Sequence, residues 1–404
     1  MSPTAESDIL AVWSSENPAG LLARETRHRY VFAYDPAALE SSQASLTMPF
    51  RLQSWVSSDF HPVFQMNLPE GALLEAIRRA VAKVAGEDDL TILRVTGGNQ
   101  IGRNRFARVG DEKPGLTETR ESLDELLTYP DTTELFHELV NRYALRSGIS
   151  GVQPKVMLEA VERGTLTTAG YIVKSWGAEY PQLALNEFFC MSAVKQAGLP
   201  VPEFYCAENG GLFIMKRFDI NAAGIQLGFE DMCSLQGVGT AQKYGSSYER
   251  VARSIRDFVS GENQSKAREQ FFAMLVLTVL LRNGDAHLKN FGVQYEAARG
   301  AVQLAPAYDV VTTTAYLKKD VPALSLAGTK KWWPRKMLEQ FAVAHLSLPI
   351  GTIGQIIERM TGAVEETRAE LVKYAADHPE FKETGAAMAT AWDEGISGMR
   401  QGMR

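Results

Sequence analysis

From Phe271 to Leu281 the chain carries no charged side chain, and at Arg282 it turns abruptly polar, reading Arg282-Asn283-Gly284-Asp285-Ala286-His287-Leu288-Lys289-Asn290. A membrane span needs an apolar run of roughly 18 residues or more, so the run is expected to be a buried helix that ends in a polar loop. At 404 residues the chain exceeds what one ordinary core organises, and two or three subdomains are expected. With 45% hydrophobic and 22% charged residues it has the composition of a globular protein. A formal net charge of −6 argues against a nucleic-acid surface over the whole chain. The start, Met1 to Glu6, lacks the basic and apolar stretches of a signal peptide, and Cys190, Cys206 and Cys233 form no CxxC pair. These features point to a cytoplasmic protein with no membrane association.

The order of patterns along the chain is strands first and helices later. Arg29–Tyr34 alternates like a strand, and Leu73 to Ala85 carries apolar residues at helical spacing after the turn Asn67-Leu68-Pro69-Glu70-Gly71. Asp111 to Gly115 resembles a linker. Leu123 to Tyr143 is helical in pattern; Val156–Leu158 and Gly170–Lys174 read as strands around a polar turn. Leu183 to Ala197 reads as a helix closed by Gly198, and Gly211 to Phe218 as a further strand. Beyond about residue 245 helices are expected at Ser247–Val259, Lys266–Leu281, Trp333–Ala344 and Ile350–Ala376. Three parts follow: an N-terminal α+β subdomain with its linker (1–120), a β-rich part (121–235) and an all-helical part (236–404).

The polar loop holds Asp285 and, five residues on, Asn290; a second acid, Asp309, follows in Ala307-Tyr308-Asp309-Val310. Protein kinases use this order and spacing. Phosphoryl transfer needs metal ions on the phosphates, a cation on other phosphate oxygens and a group that orients the attacking hydroxyl. Asp285 suits the last role, and Asn290 and Asp309 supply oxygens of the kind that suit Mg²⁺. Lys174 ends the strand Tyr171-Ile172-Val173-Lys174, and Glu187 on the next helix is placed to hold it in an ion pair. The loop Ser147-Gly148-Ile149-Ser150-Gly151-Val152-Gln153-Pro154-Lys155 precedes a strand, where a phosphate-covering loop would lie. It is neither a Walker A motif nor G-x-G-x-x-G, and its Ser147 and Ser150 offer hydroxyls for phosphorylation. His287 has no second histidine at metal-ligand spacing and is expected to brace the loop. Lys330-Lys331-Trp332-Trp333-Pro334-Arg335-Lys336 is a basic–aromatic cluster of a kind that can bind phosphate or nucleic acid, though more often such a cluster is a surface turn with tryptophan anchors.

Taken together these segments resemble the HipA-type serine/threonine kinase toxins of bacterial toxin–antitoxin modules. The resemblance rests on Ser150 to Lys155, Tyr171 to Lys174, Asn186-Glu187, Gly198 to Pro202, Met215-Lys216-Arg217-Phe218-Asp219, Glu230 to Cys233, Asn283 to Phe291, Ala307-Tyr308-Asp309, and Phe64 to Gly71. It implies a bilobal, protein-kinase-like α+β fold that binds ATP and Mg²⁺. Asp285, with Asn290, Lys289 and His287 in the same loop, would form the catalytic set, and Asn290 and Asp309 the metal ligands. Nucleotide binding would fall to Lys174, Glu187, Ser150, Gly151, Val152, Gln153, Lys155 and the adenine-side segment through Lys216, Arg217 and Phe218. Autophosphorylation of the Gly/Ser loop, at Ser150 or Ser147, would switch the enzyme off. Gly148 stands where the family often has a serine. The implied target is a serine of a translation protein, an aminoacyl-tRNA synthetase, with growth arrest or persistence as the outcome. A HipB-like helix-turn-helix antitoxin is the implied partner, with DNA reached only through it. Two alternatives stand beside this: a small-molecule phosphotransferase using the same residues, and a weakly catalytic corepressor that binds an antitoxin.

Overall fold

The computed structural model describes residues 8–81, 88–113, 120–164 and 167–400. The first body is an antiparallel five-stranded sheet in the order β4-β3-β2-β1-β5, made of β1 (Ile9–Ser14), β2 (Asn17–Thr26), β3 (Arg29–Tyr34), β4 (Trp55–Ser57) and β5 (Asn104–Arg108). Both β1 and β3 bury every second residue, the two-residue period of a half-covered sheet. Their inner residues, Leu10, Val12, Phe32 and Tyr34, pack with Phe64, Ile77 and Leu93 from α1 (Pro62–Gln65), α2 (Gly71–Val81) and α3 (Asp89–Thr96). The β1–β2 hairpin has no counterpart in the sequence reading, because β2 contains Pro18 and Gly20 and does not alternate. The expected linker, Asp111 to Gly115, lies partly outside the described residues.

A second five-stranded sheet runs β6-β7-β8-β10-β9: β6 (Arg120–Ser122), β7 (Lys155–Val161), β8 (Thr168–Lys174), β9 (Phe204–Cys206) and β10 (Phe213–Lys216). One face is covered by α4 (Leu123–Thr128) and α5 (Thr132–Tyr143), through Leu126, Leu135, Phe136 and Leu139. The sequence pattern joined these two helices into one. Pro130 separates them, because the residue before a proline is driven to extended backbone, as Tyr129 shows (ψ 127°). Asp131 then restarts the chain as an N-cap, accepting from Thr133 N and Glu134 N at 3.1 and 3.0 Å.

The last body is mostly helical. It contains α6 (Leu183–Gln196), α7 (Met232–Leu235), α8 (Tyr248–Phe258), α9 (Gln264–Leu280), α10 (Arg335–Leu346), α11 (Ile350–Asp377) and α12 (Lys382–Arg400). The expectation that 236–404 is all-helical needs correcting. A three-stranded sheet joins β11 (Gly228–Asp231) to β12 (Gly292–Tyr295) and β13 (Val302–Leu304). Strands of three or four residues are too short to show a period in sequence. Every residue of α9 from Gln270 to Leu280 is buried, and Phe271, Leu275 and Leu280 share one core with Trp333, Phe341, Ile357 and Trp392. A helix that is apolar on all sides is stable only when enclosed in this way. Trp333 is the anchor of the basic–aromatic turn, while Lys331 and Lys336 stay exposed. No helix among the described residues is long and apolar enough to cross a membrane.

Candidate active site

Enclosed α9 delivers the polar loop to the space between the second sheet and the helical body. The helix ends at Leu280; Arg282 takes a left-handed conformation (φ 53°) and turns the chain out of the core. Gly284 then passes so close to Asp320 and Thr313 that a Cβ has no room, and its N–H donates to Thr313 Oγ1 at 2.8 Å. The loop opens onto a cleft of about 830 Å³, roofed by the loop that runs from Ser147 into β7, by Lys155, Ile172 and Lys174 of β7 and β8, and by the start of α2.

Lys155 and Lys174 face each other across β7 and β8. The Lys174 ammonium, 3% exposed, lies 2.6 Å from Glu187 Oε1 and 2.6 Å from Asp309 Oδ1. Burial works against its charge, but the two carboxylates outweigh burial and hold it protonated. Burial also pushes up Glu187, which is fully enclosed, with Lys174 opposing; Asp309 is instead held well below the carboxylate range by Lys174 and Lys155, against burial. Asp309 has a left-handed backbone (φ 59°), a strained state for a side-chain-bearing residue that concentrates at functional sites. Its other oxygen, Oδ2, accepts from Asn290 Nδ2 at 3.0 Å, and Asn290 Oδ1 accepts from His287 N at 3.1 Å. Helix α6 fixes both ends of this network. Glu187 holds Lys174, and the preceding Asn186 grips Thr312 on both sides, at 2.7 and 3.1 Å.

Asp285 lies at the cleft floor, where burial raises its carboxyl to about 6, with the Tyr244 hydroxyl bond opposing. His287 is buried with its ring edge-on to Tyr244, and burial lowers it to about 3. The ring is therefore neutral near pH 7, and His287 braces the loop through its backbone N–H rather than its ring. The Lys289 ammonium turns towards the roof, 2.9 Å from Met66 O and 3.3 Å from Glu70 Oε1, and it also contacts Ser150 Oγ. Glu70 accepts from the Ser150 hydroxyl and from Lys243 Nζ at 2.9 Å. Burial would raise Glu70, but Lys289, Ser150 and Lys243 together bring it down to about 2.

The two serines of the roof loop part company. Ser150 faces the cleft. Ser147 is fully buried, donating to Tyr143 O and accepting from Met157 N, each at 2.9 Å, so it is a core hydroxyl and not a modification candidate. Gly151, Val152 and Gln153 line the cleft beside Ser150, and Gln153 Nε2 donates to Ser175 O at 3.1 Å.

Ile101, Ile149, Ile172, Met215 and Phe218 line its apolar side, with Phe218 stacked on Tyr308 at 5.0 Å. Lys216 and Arg217 do not reach it with their side chains. Alternation along β10 sends Lys216 outward to Glu162 and Glu203. The Arg217 guanidinium is buried on Asp219 (2.6 and 3.0 Å) and on Asn99 and Gln100 of the N-terminal body. Sequence reasoning missed Lys243, Tyr244 and Asp320 as cleft residues. They lie in irregular segments, and no spacing rule connects them to the loop they touch.

A family described as HipA N-terminal domain matches residues 10–107, and one described as HipA-like C-terminal domain matches residues 147–368. Two curated relatives carry the name “Putative kinase”. Y4dM of Sinorhizobium fredii is 27% identical, with 90% of this chain and 93% of that one covered. The other, from Haemophilus influenzae, is 30% identical over 42% of this chain and 53% of its own length. Among solved structures, a chain of the Shewanella oneidensis MR-1 toxin–antitoxin complex of HipA, HipB and operator DNA superposes with a TM-score of 0.70. That match covers 97% of both chains at 19% identity, which establishes a shared α+β fold.

Proposed function

The chain belongs to the HipA family, and from that premise we propose that it is an ATP- and Mg²⁺-dependent serine/threonine protein kinase, the toxin of a toxin–antitoxin pair. The observation that carries the reading is Lys174, buried between Glu187 and Asp309, with Asn290 on the second oxygen of Asp309. The kinase names of the two curated relatives support it.

The residues fit both groups. The apolar slot of Ile101, Ile149, Ile172, Met215 and Phe218 is suited to a flat base, and Lys174 and Lys155 to phosphate oxygens. Asp309 Oδ2, and Asn290 Oδ1 once its amide turns from Asp309 and His287 N, would be the small protein share that Mg²⁺ takes when phosphates complete its shell. Bound there, such an ion would supply neutralisation of the phosphate charge. Asp285 accepts the proton of the acceptor hydroxyl as its oxygen bonds to the γ-phosphorus and the bond to the bridging oxygen breaks, with ADP leaving.

The acceptor is a serine of a translation protein, an aminoacyl-tRNA synthetase in the family pattern, and growth arrest or persistence follows. Ser150, in the cleft roof, is the autophosphorylation candidate that switches the enzyme off. A HipB-like antitoxin is the partner, through which DNA is reached; the HipA–HipB–operator complex of similar fold supports this class of partner. The test is transfer from γ-labelled ATP by purified protein with Mg²⁺. Labelled protein is expected with the wild type and a loss of at least roughly a hundredfold with Asp309→Asn. Undiminished transfer by that variant would overturn the metal assignment.

A further inference from the structure

The segment from Thr240 to Ser246 enters none of the chemistry assigned so far, yet it grips the catalytic loop at several points. The Lys243 carbonyl accepts from Leu288 N at 3.2 Å, and the Tyr244 hydroxyl donates to Asp285 Oδ1 at 2.8 Å. Tyr244 is itself held in place. Its carbonyl accepts from Lys330 Nζ at 3.0 Å, and its ring meets the His287 ring edge-on, with centroids 5.1 Å apart. Neighbouring Lys243 is pinned to Glu70 on the opposite wall.

We propose that Tyr244 is a positioning residue: it fixes the rotation of the Asp285 carboxylate by occupying Oδ1, so that Oδ2 is the oxygen presented to the acceptor hydroxyl. Among the described residues no other group donates a hydrogen bond to that carboxylate. The terminal torsion of an aspartate is broad, so without this bond the two oxygens would share the acceptor direction loosely. A tyrosine suits the task because its hydroxyl sits at a fixed reach on a rigid ring and brings no charge. The charged groups facing Asp285 are otherwise Asp309 and Asp320, which raise its proton affinity, and Lys243, which lowers it; His287 is neutral. The inference rests on the reading of Asp285 as proton acceptor.

Tyr244→Phe removes the hydroxyl and keeps the ring on His287. The expected result is a kcat lower by roughly ten- to hundredfold, the effect of losing a hydrogen bond to a charged group, with KM for ATP unchanged. The acid limb of the pH profile should move up relative to the wild type, because the hydroxyl stabilises the ionised carboxylate. A kcat within twofold of wild type with an unmoved limb overturns the proposal. So does a raised KM for ATP at unchanged kcat, which would place Tyr244 in nucleotide binding. A carbon-13 NMR titration of the Asp285 carboxyl without nucleotide separates this failure from that of the kinase reading. An upward shift in Tyr244→Phe alongside a wild type that transfers no phosphate counts against the function and leaves the contact standing. An unshifted titration in an active enzyme counts against the positioning role alone.

Discussion

Lys174 carries two carboxylates on one ammonium, and its removal strands Glu187 in a fully buried site. Breaking one partner of a buried pair costs about 3–5 kcal/mol, whereas replacing both partners by apolar groups is often neutral. Lys174→Met is therefore expected to abolish transfer and lower unfolding stability by about that amount. Lys174→Met with Glu187→Leu should recover most of the stability and none of the activity, as denaturant titration beside the labelled-ATP assay would show. Equal stability of the wild type and the single variant would contradict the ion-pair account. At this scale the sequence was informative where a residue ends a regular element or sits at a fixed spacing, as Lys174, Glu187, Asp285, Asn290 and Asp309 do. It was silent on Tyr244, 41 residues before its partner Asp285, and on Glu70, 219 residues before Lys289. Such contacts are made by the fold. Ser147 shows the converse, since a serine in a Gly/Ser loop looks exposed until the neighbouring strand covers it.

At the scale of elements, the start of α2 is what holds the roof loop down. Gly71 opens that helix with φ 54°, and a Cβ there would lie 2.6 Å from Val152 O and 3.0 Å from Val152 Cα. Gly71→Ala is expected to destabilise the protein by about 1–3 kcal/mol through strain and crowding. It should also raise hydrogen exchange in residues 149–153; protection equal to wild type would mean that α2 does not clamp the loop. The turn Leu68 to Gly71 was visible in the sequence, but its contact with Val152 was not. Elements marked by an alternation or by a long apolar run were legible, among them β3, the β7–β8 hairpin, α6 and α9. The β1–β2 hairpin and the β11–β12–β13 sheet escaped because their strands are interrupted by glycine or proline, or too short to repeat. Helix α12 escaped as well, and its buried Trp392 donates to Thr312 Oγ1 at 2.7 Å, fixing the segment that follows Asp309.

For the molecule as a whole, the cleft exists because the N-terminal body is fastened to the rest. Glu230 is fully buried and accepts from Ser45 Oγ, Leu46 N, Ser234 Oγ and Tyr295 Oη at 2.6 to 3.1 Å, so one carboxylate spans the N-terminal segment and the β11–β12 sheet. Asp219 adds a second fastening, accepting from Gly102 N at 2.7 Å. Glu230→Ala leaves four donors unpaired and is expected to cost about 3–5 kcal/mol. In calorimetry an early transition of the N-terminal body should precede the main one; a single transition at the wild-type temperature would contradict the fastening. The succession of strand-rich parts and a mostly helical part was legible from the order of patterns, while the fastening was not, because it depends on buried polar groups far apart in sequence. The central claim concerns the chemistry performed in the cleft these bodies enclose. It is tested most directly by incubating a bacterial lysate with ATP, Mg²⁺ and either the wild type or Asp285→Asn, then mapping phosphorylated residues. New phosphoserines on a few proteins with the wild type, absent with the variant, are the expected result; identical protein phosphorylation in both, or label appearing only in a small molecule, would contradict it.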